Sequence, residues 1–259
     1  SDAQKEYRKF GVIQKDAANT YNFTHSETTI TTDESTINTL GNVVLNLNGN
    51  ALKLVSGNEV PAIMANDNIT INGVGVLEAN NGIKVVKDKT ATINLNGKES
   101  ELKADVLAGE GVVEVDLGTD WQDGGTWIGD NQGNVAVEGG YWIGNNTENA
   151  VVTKVVWTGD NSGIATVEDN TEWKGDNKGI AVLNSHCYWS GDNGSKGVVT
   201  INSGTTWHGN NAGTVTFNHA EWLGLNSGTA VVDGGAWEGN NTGNVTLNKG
   251  QWIGDNLGA

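Results

Sequence analysis

Apolar and polar residues alternate along much of this chain. NVVLNLNGN, ALKLVSGN, NITINGVG, GIKVVKDK, TATINLNGK and GVVEVDLG place Val, Ile and Leu between polar neighbours. A period of two gives a strand one buried and one wet face, so these stretches predict short β-strands. Gly, Asn and Asp, the residues of tight turns, separate them. The alternation begins at about Phe23. Residues 1–22 are polar and mixed, and read as a lead-in that caps the first strands, with a short helix expected around Gln4 to Phe10.

Two longer periods lie on top of the alternation. NITINGVGVLEANNGIKVVKDK, from Asn68, and TATINLNGKESELKADVLAGEG, from Thr90, are successive blocks of 22 residues, each with about three short strands. From Trp127 the period tightens. Trp127, Trp142, Trp157, Trp173, Trp189, Trp207, Trp222, Trp237 and Trp252 follow one another at intervals of 15, 15, 16, 16, 18, 15, 15 and 15, the longest containing GDNGSKG with two extra residues. Counted from each Trp, offset two is always Gly. Offset four is always Asn: Asn131, Asn146, Asn161, Asn177, Asn193, Asn211, Asn226, Asn241 and Asn256. Offset six is usually Gly, with Glu148 an exception, and offsets eight and ten are aliphatic or Phe, shifted by two residues in the repeat that carries the insertion. Offset one varies through Ile128, Thr158, Lys174, Ser190, His208 and Glu238. Fixed even positions and variable odd ones place the even set inside.

Short all-strand repeats of this kind predict a parallel β-helix, in which each repeat is one rung and like residues stack on like about 4.8 Å apart. We expect an all-β chain: a lead-in over 1–22, about four rungs of ~22 residues over 23–120, then about nine narrow rungs of ~15 residues over 121–259, together a rod on the order of 60 Å. The Trp column would fill the thin interior, and the Asn column would form an amide ladder.

Composition narrows the function classes. There are 31 acidic and 15 basic residues, a formal charge of -16, which argues against nucleic acid and anionic membranes as partners. No apolar run is long enough to span a membrane and no signal peptide is visible, so direct membrane insertion is not expected. The one cysteine, Cys187, excludes an internal disulfide, which points to bacteria rather than to a eukaryotic extracellular module. The closing QWIGDNLGA stops within a repeat, so the expectation is a piece of a longer protein.

Candidate chemistry is sparse. A hydrolase or polysaccharide lyase on a β-helix needs acids that converge, whereas the acids here recur along the repeats. Asp130, Asp160, Asp176, Asp192 and Asp255 share offset three with Asn145, Asn210 and Asn240. There is no GxSxG, HExxH or P-loop. His186 and Cys187 are chain neighbours and would face opposite ways, and His25, His208 and His219 read as surface residues. No catalytic residue is assigned, and a non-enzyme is expected. GDNxG echoes calcium loops, which makes Asp130, Asp160, Asp176 and Asp192 weak calcium candidates; stacked carboxylates would repel by roughly 1 kcal/mol per pair in water, and a cation would relieve this. Asn at several of these positions and Leu225 at one favour a solvated ladder with no cofactor. An exposed Trp column would instead be a sugar-binding platform. Offsets one and five, taken as the outer face, are chemically mixed, and Thr looks scattered, which speaks against a flat repeated ligand such as ice.

NITINGxG…GIKVV…ATINLNG and the GGTWxGDNxGxVxV phrasing resemble the passenger domains of bacterial autotransporters, the type V secreted surface proteins. The resemblance covers roughly residues 23–259 and its motifs are loose. It implies a right-handed β-helix over the wide rungs, export through the outer membrane and display at the bacterial cell surface. It also implies a function as adhesin or structural stalk, touching a host glycan, a matrix or surface protein, or a sister rod along one long face. A carbohydrate-binding module using the Trp column is the alternative.

Overall fold

The computed structural model describes residues 13–17 and 19–259. The expected helix at Gln4 to Phe10 lies outside them. No helix occurs among the described residues, and the strands pair in parallel apart from one hairpin, Ile13–Ala17 against Thr20–Phe23. The chain forms two compact units, Ser1–Tyr141 and Trp142–Ala259. Each is a parallel β-helix whose rungs turn through three sides.

In the first unit the first side carries Val43–Asn46, Ile69–Asn72, Thr90–Asn94, Val112–Asp116 and Asn134–Glu138. Its register advances 22 residues per rung at Ile69↔Ala91, Ala91↔Val113 and Val113↔Val135, and 26 at Val43↔Ile69. The second side runs through Glu27–Thr31, Ala51–Val55, Val76–Ala79, Glu101–Lys103 and Thr126–Ile128. Its inward column reads Thr28, Leu52, Leu77, Leu102, Trp127. The third side starts as the strands Ile37–Asn38, Ile63–Ala65 and Ile83–Val85 and shrinks to single bridging residues, giving the column Ile37, Ile63, Ile83, Val106, Asn131. The hydrophobic alternation makes these columns: every second residue turns into a core of Ile, Leu, Val and Ala from which water is excluded.

The second unit repeats a tighter rung. On its first side Ala150, Ala165, Ala181, Val199, Val215, Ala230 and Val245 stack, with advances of 15, 16, 18, 16, 15 and 15 residues. The second side stacks Trp157, Trp173, Trp189, Trp207, Trp222, Trp237 and Trp252. The third side is one residue deep and consists of bridges from Asn146 to Asn256. The two extra residues of the long repeat are looped out at Ser195 and Lys196: Asn193 bonds the carbonyl of Gly197, four residues on, where its neighbours bond two residues on. The corner between the first and second sides takes up the remaining variation. Lys154, Asn170, His186 and His219 turn it with φ of 56°, 55°, 61° and 54°, a left-handed conformation that the Gly204 rung gives to glycine.

Candidate functional site

The tryptophans form an internal column. Trp142, Trp157, Trp173, Trp189, Trp207, Trp222, Trp237 and Trp252 stack with ring centroids 4.5–4.8 Å apart and planes within 9°. Trp142 to Trp237 are buried, Trp127 is buried in the first unit, and Trp252 is partly exposed. A buried indole must place its N–H. Trp157 Nε1 donates to the carbonyl of Gly144 at 2.9 Å, and Trp173, Trp189, Trp207, Trp222 and Trp237 donate to Gly159, Gly175, Gly191, Gly209 and Gly224 at 2.9 Å. Trp127 makes the same bond to Ala104, at 2.8 Å. This explains the invariant Gly at offset two: a Cβ on Gly191 would overlap the carbonyl oxygen of Gly175 and crowd the Trp189 Nε1 beside it.

Asn131 and the offset-four asparagines from Asn146 to Asn241 are fully buried, and Asn256 is exposed. Asn146 Nδ2 donates to Asn161 Oδ1 at 2.7 Å, and the pattern continues through Asn177, Asn193, Asn211, Asn226, Asn241 and Asn256 at 2.6–2.9 Å. Each such Nδ2 also lies within reach of backbone carbonyls, as Asn161 does with Ile180 at 3.0 Å. The ladder gives partners to polar groups that would be costly to bury alone.

The offset-three residues sit outside and form a second ladder, in which each side-chain oxygen accepts the backbone N–H of the next rung. Asn145 Oδ1 accepts from Asp160, Asp160 from Asp176, Asp176 from Asp192 and Asp192 from Asn210, all at 2.8–3.0 Å. In the first unit Asp105 does the same for Asp130, at 2.8 Å. A hydrogen bond from Lys178 and the N–H of Asp176 hold the Asp160 carboxyl below its usual range. Three of the four calcium candidates, Asp160, Asp176 and Asp192, therefore spend a carboxylate oxygen on the backbone. Among the described residues no group of three or more His, Cys, Asp or Glu is placed to hold a metal ion.

His186 and Cys187 are separated as the chain order implies. The His186 ring lies over Gly204, where an added Cβ would meet it at 3.1 Å. Cys187 is buried, its Sγ donating to the Asn184 carbonyl at 2.7 Å, and burial pushes the thiol up to about 11, the reverse of what a nucleophile needs. His208 Nδ1 pairs with the Tyr188 hydroxyl at 3.0 Å on the outer face of the second side.

Known proteins offer no guide to a site: no family model, no curated protein and no solved structure matches this chain.

The most ordered outer surface lies on the first side of the second unit, at offsets not singled out from the sequence. Two outward columns run there between the buried ones. One reads Ile164, Ile180, Val198, Thr214, Thr229 and the other Thr166, Val182, Thr200, Thr216, Val231. All ten are β-branched and none is charged. Ile164, Ile180 and Val198 leave 49%, 47% and 44% of their surface exposed. Strand register brings five threonines, Thr166, Thr200, Thr214, Thr216 and Thr229, onto this one face. One tryptophan outside the repeat, Trp121, is also exposed, on the turn between Gly118 and Gly124.

Proposed function

We propose that this chain is the β-helical part of a bacterial cell-surface adhesin or structural stalk of the autotransporter passenger type. It makes contact through the outer face of the first side of the second unit. The observation that carries the reading is the uncharged, β-branched strip on that face, borne by a chain with a formal charge of -16. Like-charged surfaces repel, and a strip without charge is where a chain of this composition approaches another surface at least cost. The repeat phrasing adds the autotransporter resemblance, and the internal ladders supply the stiffness a stalk needs. No observation favours a sugar platform on the Trp column, because each indole face is covered by the next indole.

The test is adhesion by cells displaying the chain. A double substitution at the centre of the strip, Thr200→Lys and Thr216→Lys, should abolish attachment or cell-to-cell clumping while the fold is kept. Ser190→Lys, on the outer face of the second side, should leave it intact. Attachment that survives the strip variant removes the assignment of this face, and a displayed chain that attaches to nothing removes the adhesin.

A further inference from the structure

We propose that the β-branched strip of the second unit binds the surface of ice. The proposal rests on the reading that this strip is the contact face, and adds the ligand.

The indoles of these same rungs repeat every 4.5–4.8 Å, so the outward side chains repeat at that interval along the rung axis. Across the strip, residues two apart in a strand are separated by roughly 6.6–6.8 Å. The two columns therefore form a rectangular grid. The oxygen rows on the prism plane of ice repeat at a slightly shorter interval along the rung axis and a somewhat longer one across it, so over five rungs the outward side chains stay close to equivalent lattice positions.

Val, Ile and Thr are stiff at χ1, so their methyl groups and the Thr hydroxyls are held in fixed directions before any contact. A Thr hydroxyl such as that of Thr200 or Thr216 can both donate and accept, as a lattice water does, and its methyl fits the hollow between rows. A charged side chain would bring a hydration shell that no ice lattice accommodates, and the strip has none. The Asn ladder inside, with bonds of 2.6–2.9 Å, keeps the rungs at their spacing.

Five rungs by two columns cover on the order of 300 Å². A stable protein partner buries about 800 Å² per side, so a second copy or another folded protein would have to reach beyond this strip onto the neighbouring columns. A crystal face has no edge, and copies displayed side by side on a cell add their contacts to the same surface.

The experiment is thermal hysteresis and inhibition of ice recrystallisation by the purified chain, at concentrations up to the millimolar range. The expected result is a gap between melting and growth temperatures and faceted crystals. Thr200→Lys with Thr216→Lys should lose both with an unchanged circular-dichroism melt. Ile180→Thr, which keeps the β-branch, should retain both. Absence of hysteresis and of recrystallisation inhibition in the folded chain overturns the proposal, as does activity that survives the double Lys variant. If ice activity is absent but the double Lys variant still abolishes cell attachment, the ice ligand falls and the adhesive face stands. If attachment is also unaffected, both fall.

Discussion

The two units build the same kind of coil from different interiors. The first closes three real strands around Leu and Ile, with Leu52, Leu77 and Leu102 on its second side facing Ile63 and Ile83 on its third. The second has almost no third side, and it fills the remaining space with stacked indoles and seals it with amides. The exchange is visible one rung at a time inside the first unit, where Leu102 gives way to Trp127 and Val106 to Asn131. The two replacements occur in the same rung. The Leu102 rung already meets its third side at the single residue Val106, so a one-residue side does not by itself require the exchange. In the next rung the larger indole supplies apolar volume, and the corner asparagine finds a polar partner in the Gly133 carbonyl.

The largest effect should come from breaking that pairing at its centre. Trp189→Ala should cost about 4 kcal/mol and Leu77→Ala about 3 kcal/mol, and chemical denaturation would measure both. In a stack of rungs the Trp variant should also split the transition of the second unit into two steps. Equal losses would mean that the indole does no more than a leucine. Next comes the amide ladder. Asn193→Leu removes the acceptor of Asn177 Nδ2 and the donor to Asn211 Oδ1, so two buried amides are left short and about 2–4 kcal/mol is lost. Val106→Asn should cost clearly less than Ile63→Asn, because only position 106 adjoins an existing asparagine, Asn131.

A smaller effect separates inner from outer groups. Cys187 should resist a thiol reagent at mildly alkaline pH until the second unit opens. Its raised pKa means that the unfolded thiol ionises first, so stability should decline as pH rises from the ordinary thiol range toward about 11. Rapid labelling of the native chain would contradict the burial of that corner. The smallest effect is outside. Lys178→Ala should lower the melting temperature slightly at neutral pH. Because Asp160 titrates below its usual range, the difference should shrink as pH falls through that lowered value. A difference that persists in acid would assign the Lys178 contribution to packing instead.

Parity was enough to read much of this in the sequence. Fixed residues at even offsets pointed inward, and the Trp, Asn and aliphatic columns lie where that rule puts them. The shared fate of Val106 and Asn131 was not legible, because one belongs to a 22-residue block and the other to a Trp repeat, and only the bridge between them makes them one column. The β-branched strip was missed for a related reason. Its residues lie at offsets seven and nine in most repeats, but Ser195 and Lys196 push Val198 and Thr200 two places later, so a count from Trp189 runs out of phase. The backbone caps of the Asp ladder were hidden as well. Spacing suggested repelling carboxylates, whereas each oxygen is aimed at an N–H one rung away.

The indole column has an optical consequence. Eight chromophores of identical chemistry, stacked with nearly parallel planes and within 5 Å of their neighbours, have strongly coupled transition dipoles. Excitation of one ring is shared along the file, so the second unit absorbs and emits as an array. Its near-ultraviolet absorption should be shifted from that of isolated tryptophans, while the nearly parallel rings leave any exciton couplet in circular dichroism weak. Because energy migrates along the stack, a rung that loses its indole interrupts the file and changes the emission of both segments. The protein thus carries a built-in reporter of its own continuity.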